Sequence, residues 1–459
     1  MPRSKPLPHP LALPLLLAAF AGACQCATLR EDLLYRCDTA ADCADGQCVD
    51  GWCQPEAPPG DAGSDGGAAE DGGGGTDAGA EVCNSWECVR TLWPNPDAVT
   101  NALGVRTFPV PKDIVLGTYA WFGGVLLPDG KVLAIPHTAN RALLIDPSAL
   151  SAAAFGPELF PAYENERMYA GGVLAPDGFV YAFPYARSRL LRIDPATGER
   201  VEVGPELVPE TVTEGARMVG GAVDRFGHIW SASEGVHGIL RFEPVSGESR
   251  LFASPDGGLW GGWWGMTRLA DDRLVLFPKE GVHGKKLSPA IVIVTPTEDF
   301  EGLVMEELPG YDAATQGIGL QGGALTWSGA AWSASAGLDE RAVFLRTDDV
   351  PEIVLTGADA GFGFLGTFSD GQVWTSPDNS ATGLNLWRFN SDGKPSLLQS
   401  NVVVPRYAYL GLVATPAGLV GIPGTTDLVL LLQPGAAKPD GGYDSRPMPV
   451  LLSPYFNKL

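Results

Sequence analysis

Three stretches of the chain share one pattern of strands and turns, and this repeat constrains the fold more than any other feature. The first reads GGVLLPDGKVLAIPHTANRALLIDP and spans residues 123–147. Similar stretches occupy residues 171–195 and 220–244. Each reads as an apolar strand, a tight turn, a second strand, a loop, and a third strand that ends in Asp-Pro or Glu-Pro. Copies at a fixed period predict a repeat architecture rather than separate globular domains.

The ends of the second strands form a column of Pro and Ser residues that extends the repeat along the chain. The members of this column are Pro136, Pro184, Ser233, Pro278, Ser335, Pro377 and Pro423. Their intervals are 48, 49, 45, 57, 42 and 46 residues, and a third-strand pattern follows each of them. The wide fourth interval predicts an insertion at residues 281–290. Seven units therefore run from about residue 95 to the end of the 459-residue chain.

One unit cannot bury both faces of its sheet, so it needs a neighbour on each side. Radial stacking of small antiparallel sheets meets this need and leaves few exposed edges. We therefore predict an all-β fold, a seven-bladed β-propeller of four-stranded antiparallel blades. The first innermost strand is placed at residues 123–127, and one outer strand at residues 201–207. A terminal strand should complete the last blade, either around residues 108–116 or around residues 449–453.

The repeat unit resembles the blades of NHL and YVTN propellers, which run GVAVDPDGNIYVAD and then NRIxxFDP. The double Gly at its start also resembles kelch repeats. The resemblance covers about 350 residues of the chain. It implies the propeller fold and leaves the function open, because propellers host many unrelated activities.

The first residues have the pattern of a secretory signal peptide, predicted at residues 1–23. Arg3 and Lys5 precede an apolar run at residues 11–20, which is too short to span a bilayer. Cys24 follows the small residues Ala-Gly-Ala, an arrangement that resembles the lipobox of bacterial lipoproteins and implies lipidation at Cys24. A lipid anchor would hold the protein at the outer membrane or cell surface. Cleavage without lipidation would instead give a secreted or periplasmic soluble protein.

All eight cysteines lie before residue 90, which favours disulfides in an oxidising compartment. Residues 24–53 are predicted to hold the anchor and a small Cys-rich module. The disulfide candidates are Cys37, Cys43, Cys48, Cys53, Cys83 and Cys88. Their pairing stays open, and a zinc site is the alternative. Residues 54–81 contain Gly, Ala, Asp and Pro with little to bury and are predicted to be a disordered linker. The propeller domain is placed at residues 82–459, and Cys83 and Cys88 lie in its lead-in.

The formal charge of −23 makes nucleic acid an unfavourable partner, because an acidic surface repels phosphates. No later apolar run is long enough for a transmembrane helix, so the membrane is expected as a partner only through the lipid. The sequence has no GxSxG, HExxH or Walker A pattern. GFGFLG at residues 361–366 falls on an innermost strand and does not open a helix, so it does not predict dinucleotide binding.

Residues directly after the column lie in loops on one predicted face of the propeller. They are His137, Tyr185, Glu234, Lys279, Ala336, Asp378 and Gly424. These positions are structurally equivalent in the predicted fold, yet their side chains differ. This divergence indicates a binding surface, and drift in exposed loops is the alternative.

Two further groups of residues fall on the same predicted face. Glu234 and His237 are repeated as Glu280 and His283 in the next blade, with His137 in the related loop of the first. Imidazole and carboxylate could hold a divalent metal or exchange protons, although repeat inheritance would give the same pattern. No other cofactor is expected.

Aromatic residues near the starts of innermost strands could stack on sugars or hold a peptide, or could pack between blades. They are Trp121, Tyr169, Trp263, Trp264, Phe362, Tyr407 and Tyr409. Arg167, Arg217 and Arg406 in the same loops would contact anions if they are exposed, and a structural role, pairing with carboxylates of the blades, is the alternative.

The sequence favours an envelope-anchored binding protein whose loop face binds a carbohydrate, peptide or protein. The alternatives are an extracytoplasmic metal-assisted lyase or hydrolase at the channel mouth, and a structural scaffold of an envelope assembly. No catalytic set can be assigned. The candidate ligand-binding residues are His137, Tyr185, Glu234, His237, Lys279, Glu280, His283, Asp378, Trp121 and Trp263.

Overall fold

The structure is a computed structural model. It describes residues 46–49, 52–55, 81–82, 85–92, 103–112, 114, 118–159, 167–208, 215–235, 238–252, 262–279, 290–312, 319–335, 341–355, 362–367, 373–377, 384–400, 408–434 and 451–452.

Before the blades lie four short strands and one helix. They are β1 (Gly46–Val49), β2 (Trp52–Pro55), β3 (Glu81–Val82), α1 (Trp86–Leu92) and β4 (Leu103–Pro109).

Seven four-stranded antiparallel sheets follow, as the sequence predicts. Blade one comprises β5 (Trp121–Leu126), β6 (Val132–Pro136), β7 (Ala142–Asp146) and β8 (Ser151–Phe155). Blade two comprises β9 (Tyr169–Leu174), β10 (Val180–Pro184), β11 (Leu190–Ile193) and β12 (Arg200–Val203). Blade three comprises β13 (Met218–Val223), β14 (Ile229–Ser233), β15 (Ile239–Phe242) and β16 (Ser249–Phe252). Blade four comprises β17 (Trp263–Arg268), β18 (Leu274–Pro278), β19 (Val292–Thr295) and β20 (Val304–Glu307). Blade five comprises β21 (Leu320–Leu325), β22 (Ala331–Ser335), β23 (Arg341–Leu345) and β24 (Pro351–Leu355). Blade six comprises β25 (Phe362–Thr367), β26 (Val373–Pro377), β27 (Leu384–Phe389) and β28 (Pro395–Ser400), and blade seven contains β29 (Tyr409–Thr415), β30 (Gly418–Pro423) and β31 (Leu428–Pro434).

The Pro/Ser column marks one structural position in every blade. Each column residue ends a second strand and pairs with the first residue of the innermost strand, as Pro136 does with Trp121. Innermost strands therefore begin two residues earlier than predicted, at Trp121 rather than at residue 123 in blade one. The second blade's outer strand is Arg200–Val203, shorter than the predicted 201–207.

The first Gly of each pair lies in a β-bulge, and the second allows a close contact with the preceding blade. The pairing of every innermost strand with its second strand shifts by one residue near the start. At this bulge Gly123 has φ 71° and Gly171 has φ 74°, in the left-handed region that favours glycine. The second Gly faces the preceding blade. A Cβ on Gly172 would lie 2.9 Å from Ile135 Cδ1, so this Gly makes room for the neighbour's side chain.

The ring closes through its N-terminal strand. β4 pairs antiparallel with β31 over seven residue pairs, from Leu103 with Pro434 to Pro109 with Leu428. β4 is thus the outermost strand of blade seven. Of the two predicted segments, the first was near the correct position but began five residues too late. The second contributes β32 (Leu451–Leu452), which pairs in parallel with β3 instead of closing a blade.

Apolar side chains fill the spaces between blades and form the core. Innermost and second strands of blades one to five are almost entirely buried, whereas every residue of an outer strand such as β12 is at least partly exposed. The largest fully buried side chains include Trp230, Trp332 and Trp374 on second strands. The apolar faces of each blade are therefore buried by its neighbours, as expected of radial stacking.

Helix α1 packs on the turns between first and second strands of blades four and five. Trp86 and Val89 join the cluster of Leu269 and Val275, and the Arg90 guanidinium lies 4.4 Å from the centre of the Trp327 ring. Within the described part of the chain, no helix is long and apolar enough to cross a membrane.

Residues of the proposed N-terminal module are largely outside the described ranges. The positions of Cys24, Cys37, Cys43 and Cys83 are among those not described. In the hairpin of β1 and β2, Cys48 lies opposite Cys53. On α1, Cys88 is disulfide-bonded. The pairing of the remaining cysteines stays a prediction, as do the signal peptide, the lipid and the linker.

Candidate functional site

Backbone hydrogen bonds connect the described loops at the face where second strands end. In five blades the residue after the column is described, and it donates its N–H to the carbonyl just before the innermost strand of the same blade. These bonds are His137 to Ala120 (2.9 Å), Tyr185 to Met168 (2.8 Å), Glu234 to Arg217 (2.8 Å), Lys279 to Gly262 (2.6 Å) and Gly424 to Ala408 (2.7 Å).

Further backbone bonds connect neighbouring blades. Met168 N donates to His137 O at 2.7 Å, and Arg217 N donates to Tyr185 O at 2.8 Å. Comparable bonds join blade four to blade three and blade one to blade seven. The five described residues after the column therefore occupy equivalent positions at one face of the propeller, which we term the loop face.

Four consecutive post-column side chains on the loop face contact one another; we call His137, Tyr185, Glu234 and Lys279 the arc. The His137 ring meets the Tyr185 ring edge-on, with centroids 5.4 Å apart. The Tyr185 hydroxyl donates to Glu234 Oε2 at 3.3 Å. Glu234 Oε1 in turn forms an ion pair with Lys279 Nζ. Four blades thus contribute one member each to a continuous network.

His137 forms the buried end of the arc. Its side chain is 3% exposed and packs against Phe122, and its Nδ1 lies 2.6 Å from the carbonyl oxygen of Tyr169. A carbonyl can only accept, so Nδ1 carries the proton of this bond. Burial, aided by the nearby charge of Arg167, lowers the pKa of His137 to about 4. The imidazole is therefore neutral at physiological pH.

Glu234 and Lys279 form the charged end of the arc. The Lys279 ammonium also lies 4.0 Å from the centre of the Trp264 ring, a cation–π distance. The side chains of Glu234 and Lys279 are only 10% and 25% exposed. Burial, together with the charge of Glu234, raises the pKa of Tyr185, so its hydroxyl stays protonated and can donate.

Two arginines flank the arc, as the sequence predicts for this face. Arg167 is exposed, and its guanidinium lies 5.2 Å from the centre of the Tyr119 ring. The positive charges of Arg217 and Arg167 lower the pKa of Tyr185 and so oppose part of the increase that burial causes. Tyr119 and Arg217 have positive φ values of 65° and 50°. Such backbone strain in non-Gly residues is concentrated at functional sites.

Below the arc, apolar side chains from several blades form one cluster, which we term the collar. Its buried members are the second residues of innermost strands: Phe122, Ala170, Val219 and Leu410. Trp264, the second residue of β17, is a partly buried member of the same set, and the partly buried Tyr119 and Tyr185 pack against the cluster from the loops. In these blades the side chains next to the arc on the channel side are therefore apolar.

Two of the predicted ligand-binding residues, Trp121 and Trp263, do not join the arc. Trp121 and Trp263 begin innermost strands and have no exposed surface. The Trp121 indole donates to Arg141 O at 2.8 Å, inside the blade. These two rings are therefore not presented at the loop face.

His237, Glu280, His283 and Asp378 lie outside the described residues. Among the residues that are described, no three His, Cys, Asp or Glu side chains come together as a metal site would require.

Sequence reasoning missed Tyr119 and Phe122, which stand on either side of the first strand's opening residue. The signal for both was present, since the segment TYAWF at residues 118–122 holds three aromatics. Trp121 and Phe122 differ in the direction of their side chains: at the bulge Trp121 is buried in the blade, whereas Phe122 lies in the collar.

No family model matches the sequence, and no curated protein matches it. Solved structures with a similar fold include virginiamycin B lyase from Staphylococcus aureus. It is 15% identical with a TM-score of 0.56, and the match covers 72% of this chain and 99% of that one. A streptogramin B lyase is 14% identical with a TM-score of 0.54, over 72% of this chain and 98% of that one.

A second kind of neighbour is the extracellular domain of a putative hybrid two-component system from B. thetaiotaomicron. It is 12% identical with a TM-score of 0.51, and the match covers 72% of this chain and 40% of that one. At such identities these likenesses establish the propeller fold alone.

Proposed function

We propose that the protein is an exported binding protein whose propeller takes a carbohydrate, peptide or protein ligand on the loop face, at the arc. The observation that carries this proposal is the arc itself. Positions that the repeat makes equivalent hold four different side chains, and these side chains interlock across four blades.

Packing alone does not account for the arc. Burying an ion pair such as Glu234–Lys279 gives little net stability, because desolvation offsets most of the attraction. Outside the arc, the one post-column residue that the structure describes is Gly424, whose backbone makes the same bond without a side chain. A specific, partly exposed polar network is what binding sites add to a rigid scaffold.

The path of the chain supports an outward-facing site. β4 rises from Leu103, opposite Pro434, toward the loop face at Pro109, so both ends leave the ring at the other face. Helix α1 packs on that other face too, against the turn at Gly329. An anchor at Cys24 would therefore hold the loop face away from the membrane. The signal-like N-terminus favours export, and one structural neighbour is itself an extracellular domain.

The test is a binding screen of the full mature protein on arrays of glycans and peptides, with paired variants. Lys279→Ala removes the charged end of the arc, and Lys131→Ala removes an exposed lysine from a turn on the other face. We expect the strongest wild-type signals to fall about tenfold or more in Lys279→Ala and to persist in Lys131→Ala. Signals that both variants keep would contradict a site at the arc.

A further inference from the structure

We infer that His228 is a pH-sensitive switch at the junction of blades three and four, on the face opposite the arc. When its imidazole gains a proton, Nδ1 exchanges a hydrogen bond from Arg241 for a hydrogen bond to Asp224. The inference rests on the contacts of the ring and is independent of the proposed function.

Both ring nitrogens of His228 face charged groups in a nearly buried site. The side chain is 8% exposed, and its Nε2 lies 3.2 Å from Glu243 Oε2. Its Nδ1 lies 3.1 Å from Asp224 Oδ2 and 2.9 Å from Arg241 Nη2. A carboxylate only accepts and a guanidinium only donates, so Nδ1 cannot bind both at once. The protonation of the ring therefore decides which of the two is bound.

Glu243 restricts the neutral ring to one tautomer. With its proton on Nε2, the neutral imidazole donates to Glu243, and the Nδ1 lone pair accepts from Arg241. The other tautomer would direct a lone pair at the carboxylate of Glu243 and an N–H at Arg241. The charged ring instead donates from both nitrogens, to Asp224 and Glu243. Protonation therefore changes the partner of Nδ1 and leaves the partner of Nε2 unchanged.

Hydrogen bonds in this network keep Asp224 ionised and favour the charged imidazole. Burial raises the pKa of Asp224, but hydrogen bonds from His228 and Trp230 outweigh it and hold that pKa below its ordinary value. Burial lowers the pKa of His228, but the hydrogen bonds to Asp224 and Glu243 outweigh it and raise that pKa above 6.5. His228 is therefore the member of the network that loses its charge as pH rises beyond 6.5.

Arg241 connects the switch to blade four. It lies on β15 with no exposed surface, and it donates to the carbonyl oxygens of Thr297 and Asp299 at 2.6 and 2.8 Å. The positive charge of Arg241 lowers the pKa of His228, so by linkage the protonation of His228 must disfavour the present position of Arg241. Acid pH should therefore loosen the turn between β19 and β20, which Arg241 holds.

The other surroundings of the imidazole are two aromatic rings and exposed charges. Phe226 and Phe300 lie with their ring centres 6.0 and 5.3 Å from the imidazole centre. Inside the junction, Arg268 of blade four is paired with Asp272 at 2.7 Å. The further charged side chains of the enclosing turns and of the start of β16 are exposed, and they are Arg225, Glu248, Arg250, Glu298, Asp299 and Glu301. Solvent screens the effect of these exposed charges on the ring.

The first experiment is an NMR titration of the full mature protein with ¹⁵N-labelled histidine, in which His228→Gln assigns the resonance. We expect His228 to titrate above pH 6.5, and its neutral form to carry the proton on Nε2. Glu243→Gln should raise the acid dissociation constant of His228 about tenfold or more, because a bonded carboxylate is lost. Glu248→Gln removes an exposed carboxylate of the same turn and should change that constant about twofold or less.

Hydrogen exchange of the Gly302 amide, which donates to Asp299 O at 3.1 Å, tests the connection to blade four. After correction for intrinsic exchange, its protection should fall about fivefold or more as pH drops through the titration of His228. His228→Gln should show no such fall, and in Glu243→Gln the fall should move to lower pH with the titration.

Three results would overturn the switch. They are a titration of His228 at or below pH 6.5, a neutral form with its proton on Nδ1, and a Gly302 protection that stays constant through the titration. Equal effects of Glu243→Gln and Glu248→Gln on the titration would also contradict it. Because Glu243→Gln keeps the imidazole, it tests the inference even if His228→Gln does not fold.

Discussion

Arg241 is a fully buried cation at the junction of blades three and four. Its Nη2 lies 2.9 Å from His228 Nδ1, and it donates to the carbonyl oxygens of Thr297 and Asp299 at 2.6 and 2.8 Å. His228 in turn contacts Asp224 and Glu243 at 3.1 and 3.2 Å. This network joins two blades on the face opposite the arc, and its charges depend on one another.

Replacement of Arg241 by Met should lower the free energy of unfolding by about 3–5 kcal/mol, because buried partners lose their compensation. Arg250 lies directly opposite Arg241 on β16 and forms an exposed ion pair with Glu301. Arg250→Met is the matched control and should cost at most about 1 kcal/mol. Urea unfolding of both variants measures the difference, and equal losses would show that the buried network is not structurally important.

His137 should make stability depend on pH in a defined window. Its pKa is about 4 in the folded protein and 6.5 ordinarily, so the unfolded chain binds the extra proton first as pH falls. Stability from this group is complete above pH 6.5 and is lost toward pH 4, by roughly 3 kcal/mol. Unfolding of wild type and His137→Gln at pH 7 and pH 4 should show a smaller loss for the variant. Parallel losses would contradict a buried neutral imidazole.

At the scale of the strand, the bulge decides which side chains face the axis and which enter the core. Its first Gly takes a positive φ, and its second Gly admits a large side chain from the preceding blade. In blade three, a Cβ on Gly221 would lie 2.2 Å from Trp230 O and 2.3 Å from Phe183 Cζ. The second Gly is therefore a contact between blades, not a feature of the turn.

Gly221→Ala should cost about 3 kcal/mol of stability through this overlap. Gly247→Ala is the control, because its Cβ would meet nothing within 4 Å and only its φ of 75° opposes the change. That control should cost about 1 kcal/mol. Thermal or urea unfolding distinguishes the two, and an equal cost would contradict a tight interblade contact at Gly221.

The blades could be predicted well from the sequence because the seven repeat units can be aligned with one another. The column from Pro136 to Pro423 marks the ends of seven second strands without a single slip. Strand starts were misplaced because the Gly pair looks like a beginning, whereas the bulge lets pairing continue back to Trp121. β4 was harder to place because it has no sibling copy, and its pattern LGVRTFP resembles no other strand.

At the candidate site, the equivalence of the loop positions could be predicted, but the contacts among side chains could not. Sequence periodicity places Tyr185 and Glu234 in adjacent blades, and only the structure brings their side chains to 3.3 Å. The burial of Trp121 and Trp263 depends on the bulge, which sequence reasoning did not anticipate.

For the whole molecule, β4 has two effects: it closes the ring, and it decides which face of the propeller points away from the N-terminal segment. β4 covers the edge of β31, whose buried residues include Val429, Leu430 and Leu431. An uncovered apolar edge promotes aggregation. Because β4 enters from the face opposite the arc, the closing strand also sets which face points away from the N-terminal segment.

A chain that begins at residue 110 should therefore lose cooperative unfolding and aggregate. A chain that begins at residue 103 lacks α1 but keeps β4, and it should remain a monomeric closed ring. Size-exclusion chromatography and thermal unfolding compare the two, which differ only in the closing strand. A residue-110 chain as stable as the longer one would contradict closure by β4.

The proposal that the loop face is the functional face is tested most directly by hydroxyl-radical footprinting of the full mature protein. The footprint is taken with and without the strongest binder found on the arrays. We predict protection of Tyr185 and Trp264 on the loop face, with no change at Trp86 and Trp327 on the opposite face. Protection confined to Trp86 and Trp327, or no protection at Tyr185 and Trp264 under saturating ligand, would contradict the proposal.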